Sequence, residues 1–172
     1  MSHAEPQSFI SKYIFSFDHK VIGIQYLVTA MVMALLGGAL ALMIRTQLQH
    51  PDMDPALFKP EAYLSYVTMH GTIMVFLGVV PLGFAAFGNY VTPLQIGAID
   101  MAFPRLNMMS YWVYLAGGLV MLGSFFLESG AAKSGWTSYS PLASFADAHV
   151  VNQWFAGQTQ WLIGMVLLIT SS

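Results

Sequence analysis

The sequence predicts an all-α protein of the membrane, a polytopic bundle of transmembrane helices. Two observations carry that prediction. Hydrophobic residues make up 56% of the 172 positions and charged ones only 8%, against roughly 25% charged in ordinary soluble domains. Six Lys and Arg with eight Asp and Glu cannot supply the surface that a soluble fold of this length needs. These few charges also flank long uncharged stretches and do not interrupt them. The bilayer must therefore be the solvent, and the reading is one transmembrane domain, 1–172, with spans at about 21–44, 63–90, 106–127 and 154–172.

The first span follows Asp18-His19-Lys20 and runs without a formal charge from Val21 to Ile44, where Arg45 closes it. Its length exceeds the roughly 20 residues that cross a hydrocarbon core. Asp18 is a candidate N-cap, its carboxylate favoured at the positive end of the helix. Gly37, Gly38 and Ala41 place small residues about a turn apart, which suits close helix contact. Residues 46–62 break the pattern with Pro51, Pro55 and Pro60. The second span, about Tyr63 to Tyr90, contains Pro81, which predicts a kink that neighbouring groups or water must satisfy. A connection over Thr92 to Arg105 holds Pro93, Asp100 and Pro104, and the third span follows from about Leu106 to Leu127. A polar stretch rich in Ser, Gly and Ala separates it from the fourth apolar run, Trp154 to Ile169, which is still helical in pattern at Ser172. The expectation is a piece of a larger bundle whose fourth helix is incomplete.

Several function classes are excluded. A net charge of −2 with no basic tract gives nucleic acid nothing to bind. The absence of cysteine removes disulfides, thiolate metal sites and Cys nucleophiles. The twelve methionines are scattered through apolar segments and read as filler. Met1 to Lys12 has no basic run before an apolar stretch and does not read as a cleaved leader. Lysine and arginine divide equally between the two sides of the bundle, so the positive-inside rule gives no orientation.

The candidate functional residues are those out of place in a span or at its ends. His70 lies inside the second span, where an ionisable group is costly and normally faces the bundle interior with a partner. It is either a neutral imidazole hydrogen-bonded between helices or an iron ligand, imidazole being the usual axial group for haem. Arg45 ends the first helix near the membrane face where the second begins. It either reaches a polar cofactor substituent or snorkels to the head groups. Asn89 follows His70 by about 28 Å of helix, at the opposite face. With Asp100 and Asn107 it forms a polar set that is either an ordinary loop or a water-filled proton entrance. Trp136 and Tyr139, in Gly135-Trp136-Thr137-Ser138-Tyr139-Ser140-Pro141-Leu142, are of the types that anchor helices at membrane interfaces.

Several strings occur in order: Phe15-Ser16-Phe17-Asp18-His19-Lys20, Ile44-Arg45, Met69-His70-Gly71-Thr72-Ile73-Met74, Phe87-Gly88-Asn89-Tyr90, Pro93-Leu94-Gln95-Ile96-Gly97-Ala98 and Asp100-Met101-Ala102-Phe103-Pro104-Arg105-Leu106-Asn107. With the Trp136 string they resemble subunit I of the haem–copper terminal oxidases, cytochrome c oxidase type, over nearly the whole chain. The resemblance implies the first four helices of a twelve-helix-type catalytic subunit that reduces O2 to water with proton uptake and pumping. It implies that His70 is an axial ligand of a low-spin haem, that Arg45 contacts that haem's edge, and that Trp136 and Tyr139 pack near haem propionates. Asp100 becomes the entrance carboxylate of a proton channel, with Asn89 and Asn107 ordering its first waters. The high-spin haem and copper would be bound by parts of the subunit outside this chain. The implied partners are the remainder of subunit I, subunits II and III, cytochrome c and the lipid bilayer, in a bacterial cytoplasmic membrane.

Departures from the pattern sharpen this. Met108 follows Asn107 where a second asparagine is common, Gln47 replaces a carboxylate of a peripheral cation site, and Ser140 replaces a proline. Leu36 and Leu40 stand where quinol-oxidising members carry charged groups, and Ala62 and Ser65 also lack the polar groups expected there, which favours cytochrome c as donor. A nitric oxide reductase-type subunit is an alternative that Asp100 disfavours. A transporter or structural membrane subunit, with His70 only a hydrogen bonder, is the alternative of another class.

Overall fold

The computed structural model describes residues 8–51, 58–143 and 156–171. Among these the secondary structure is entirely helical. After a short wide turn at Ile10–Ile14, helix α1 spans His19–Gln49, α2 Pro60–Ile96, α3 Pro104–Gly123 and α4 Gly157–Thr170. A 3-10 turn, Ser124–Phe126, extends α3. His19–Gln49, Pro60–Ile96 and Pro104–Phe126 are each long and apolar enough to cross a membrane. Trp154, Phe155 and Ser172 of the expected fourth span lie outside the described residues, as do His3 and His149.

The N-terminus of α1 forms as expected, with the Asp18 carboxylate accepting the Lys20 backbone N–H at 2.9 Å. Arg45 does not end this helix, which continues a further turn to Gln49. Helix α2 begins at Pro60, whose missing N–H costs nothing in a first turn. It also runs through Pro93, where the sequence predicts a connection, and stops only at Gly97, whose φ of 70° reverses the chain. There the Ala98 N–H bonds the Pro93 carbonyl at 2.9 Å, which caps the helix.

Two interior prolines survive in α2 because neighbouring helices cover the carbonyls they leave without a donor. In a regular helix Leu77 would give its carbonyl to residue 81, and Pro81 has no N–H. The Tyr114 hydroxyl of α3 donates to that carbonyl at 2.8 Å. Likewise Pro93 cannot serve the Asn89 carbonyl, which accepts Nδ1–H of His19 from α1 at 2.8 Å. Around Pro81 the helix widens into π-helical turns at Ile73–Val79 and Pro81–Phe87, with the Val80 N–H reaching back five residues to Val75.

Side-chain contacts fix the directions. Gly37 faces Ile73 and Met74 while His19 faces Asn89, so α1 and α2 are antiparallel. Tyr26 pairs with Ser110 and Met33 reaches Gly118, so α3 runs parallel to α1. Gly117 and Gly164 meet where α3 and α4 cross in opposite directions: a Cβ built on Gly164 would lie 2.9 Å from the Gly117 carbonyl oxygen. Gly37 is equally confined, a Cβ there meeting the Met74 sulfur at 2.7 Å, whereas Gly38 faces open space and makes no close contact. The core is built from Ile22, Tyr26, Met33, Met69, Ile73, Leu77, Tyr114 and Met121. Much apolar surface remains outside it. Only 17% of the most apolar stretch of α1 is buried, and Leu35 and Phe84 are 74% and 81% exposed. Such an exterior belongs against lipid or further protein, which makes this a multi-pass membrane protein.

Candidate functional site

His70 projects from α2 toward α1 and is half-buried. Its Nδ1 lies 2.8 Å from the Gly37 carbonyl oxygen. A carbonyl can only accept, so Nδ1 carries a proton and donates it, and in the neutral tautomer the lone pair then lies on Nε2. A Cβ at Gly37 would meet the Met74 and Ile73 side chains, so the glycine lets α1 lie close to α2 at this point. Among the described residues Nε2 has no protein partner. A Cβ at Gly71 or at Gly38 would meet no atom within 4 Å, so space lies open beside both. No three His, Asp or Glu side chains gather into a metal-holding group among the described residues.

Arg45 lies eight positions beyond Gly37, about 12 Å further along α1. It is exposed, and the hydrogen bonds and ion pair of the described residues do not involve it. The loop after α3 reaches α2 close to His70: the Gly135 N–H donates to the Thr68 hydroxyl at 2.9 Å. Trp136 then lies with its ring centroid 6.3 Å from that of Phe76. Trp136 and Tyr139 remain 64% and 74% exposed, free to meet a further surface.

Toward the other end of α2 the polar set is drawn together around a cavity of about 590 Å³ between α1, α2, α3 and α4. Asn89 and Asn107 both line it, with Tyr26, Ser110 and Thr92. The Asn89 Nδ2 group donates to the Ala85 carbonyl at 2.7 Å, but its Oδ1 is buried without a partner, and so is Nδ2 of Asn107. Buried amide atoms left unpaired beside a cavity of this size call for water. Ser110 uses its hydrogen on the Asn107 carbonyl at 2.8 Å, so the Tyr26 hydroxyl, 2.9 Å away, donates to Ser110. Asp100 sits exposed in the turn between α2 and α3, its Oδ1 accepting the Met101 N–H at 2.7 Å. Met101 lines the cavity and Asp100 does not, which puts the carboxylate outside its rim.

Four participants were not visible from the sequence. The Gly37 carbonyl is a backbone group and has no residue signature. Tyr26 and Ser110 reach the cavity only because α1 and α3 pack side by side, though Ser110 falls one turn after Asn107. His19, expected at a span end, is only 3% exposed and holds the backbone of Asn89.

Comparison with known proteins gives the family. Residues 21–172 match the family model described as "Cytochrome C and Quinol oxidase polypeptide I". The chain is 44% identical over 170 residues to the cytochrome c oxidase subunit 1 of Thermostichus vulcanus, covering 99% of this chain and 29% of that protein. It is 46% identical over 160 residues to the subunit 1 of Synechocystis sp., covering 93% and 27%. The haem–copper oxidase subunit I+III of Aeropyrum pernix is 48% identical over 137 residues, covering 80% and 16%. The chain thus spans less than a third of the length of these relatives. Within that span the match is continuous, and the chain belongs to the cytochrome c and quinol oxidase polypeptide I family.

Proposed function

We propose that the chain forms one transmembrane domain of the catalytic subunit of a respiratory terminal oxidase, which delivers electrons to O2, takes up protons to form water, and pumps protons. The observation that carries the proposal is the state of His70. Its Nδ1–H is committed to the Gly37 carbonyl, and its Nε2 lone pair faces no protein donor among the described residues. A hydrogen bond on the far ring nitrogen is the usual support of a metal-bound imidazole, fixing tautomer and ring orientation together. The open space beside Gly71 and Gly38 suits a flat macrocycle. The residues present therefore fit a haem, low-spin in this proposal, with His70 as axial ligand. When bound, the haem supplies one-electron chemistry at iron.

The chain's own residues do the rest. Arg45 places a permanent positive charge near the haem edge, which favours the reduced state through charge and hydrogen bonding. Trp136 and Tyr139, on the loop tethered at Thr68, present exposed rings and polar tips to the propionate side. Asp100 collects protons from water at the opposite face. Asn89 and Asn107 order the waters that the unpaired atoms around the cavity require.

The high-spin haem and copper fall to the remainder of subunit I. Subunits II and III are the proposed neighbours, and the Aeropyrum relative, whose name joins subunits I and III, supports the latter. Cytochrome c is the proposed donor because Leu36 and Leu40 offer a quinol no polar contact. The proposed location is a bacterial cytoplasmic membrane. The test is the absorption spectrum of the complete purified oxidase, which should lose its low-spin haem bands in His70→Ala. Bands that persist unchanged remove the ligand assignment.

A further inference from the structure

We propose that a row of hydroxyls on α2, formed by Ser65, Thr68 and Thr72, locks the rotation of that helix and so aims His70, with Thr72 and Trp161 as the decisive positioning pair. The proposal rests on His70 being an iron ligand. The first part of α2, Pro60–Thr72, is regular α-helix. At 3.6 residues per turn Ser65, Thr68 and Thr72 fall within about 60° of one another, and His70 lies about 170° from their centre. The hydroxyl row therefore occupies the side of α2 opposite the imidazole.

Ser65 and Thr68 tie α2 to the loop after α3, and Thr72 ties it to α4. Ser65 donates to the Ala131 carbonyl at 2.9 Å. Thr68 gives its hydrogen to the Leu64 carbonyl at 2.9 Å, which leaves its oxygen to accept the Gly135 N–H. Thr72 gives its hydrogen to the Thr68 carbonyl at 2.8 Å and accepts Nε1–H of Trp161 from α4 at 3.2 Å. An indole can only donate, and a threonine whose hydrogen is already used can only accept, so this pair has one possible sense. Thr72 is fully buried and Trp161 nearly so, and water does not compete for the bond.

Such a lock is needed because packing alone fixes the rotation of a membrane helix weakly. Lipid solvates an apolar face as well as a neighbouring leucine does, and directional bonds supply the discrimination. His70 is thus held from two sides, through its ring by Gly37 and through its helix by the hydroxyl row. A small rotation of α2 turns the imidazole plane against the haem.

The test is electron paramagnetic resonance of the low-spin ferric haem in the complete oxidase, since its g-values report the orientation of the axial imidazole. Thr72→Val and Trp161→Phe should each shift the g-values while keeping the signal intensity per protein. Thr72→Ser, which retains the acceptor, should restore the parent values. Parent g-values in both Thr72→Val and Trp161→Phe overturn the proposal. If Thr72→Val fails to assemble, Trp161→Phe decides alone, because it removes the donor and leaves Thr72 and its own bond to the Thr68 carbonyl in place. A parent enzyme with no low-spin ferric signal, or a His70→Ala variant with an unchanged one, is a separate result that defeats the ligand reading and this proposal with it.

Discussion

Pro81 and Pro93 show how single side chains make an irregular helix tolerable in a membrane. Each proline strips a donor from a carbonyl four residues earlier, and each carbonyl recovers one from another helix, Tyr114 at Leu77 and His19 at Asn89. Tyr114→Phe should keep the fold but leave the Leu77 carbonyl short of a donor. The expected loss is on the order of 1 kcal/mol, the usual scale for hydrogen bonds between membrane helices, seen as a lower thermal midpoint of the purified complex with unchanged haem content. A midpoint equal to the parent's would show that the wide turns around Pro81 satisfy that carbonyl unaided. The donors were hidden in the sequence because a tyrosine or a histidine beside a span looks the same whether it caps a carbonyl or fills space. His70 was legible as a candidate for the opposite reason: an ionisable ring within a long uncharged stretch must find a partner, and α1 provides one in the Gly37 carbonyl.

The helices themselves were readable from gaps in the charge pattern, since a segment that avoids every charge for twenty residues can hardly be anything else. Their ends were less so. Pro93 reads as a break, yet the helix passes through it because His19 takes the freed carbonyl, and the stop comes at Gly97, where φ turns positive. Likewise Gly37 and Gly38 look equivalent in sequence, but only Gly37 lies against α2. The tightest crossing, between α3 and α4 at Gly117 and Gly164, involves backbone against backbone. Gly164→Ala should force the two helices apart and cost about 1–3 kcal/mol, the range for overpacking a close contact. Gly123→Ala is the matched control, because a Cβ there meets nothing within 4 Å. Thermal unfolding of the two variants in detergent should separate them clearly, and equal midpoints would show that the crossing adapts without strain.

At the scale of the whole molecule the two candidate sites lie on one continuous helix, α2, which carries His70 toward one end and Asn89 toward the other. In the proposed function this separation puts the haem ligand and the proton entrance toward opposite faces of the membrane. Asp100→Asn should slow proton-coupled turnover several-fold while leaving the haem spectrum intact, because it alters a carboxylate outside the cavity rim and nothing near His70. Turnover and pumping at parent rates would remove Asp100 from the proton path. Individual members of the polar set were legible in the sequence, but not that Asn89 and Asn107 line a shared cavity with unpaired polar atoms, since that depends on how four helices pack. The most direct measurement is an experimental structure of the complete, cofactor-loaded oxidase. It should show iron bonded to Nε2 of His70 with Nδ1 still on the Gly37 carbonyl. An imidazole engaged at both nitrogens by protein, with no macrocycle against it, would contradict the account.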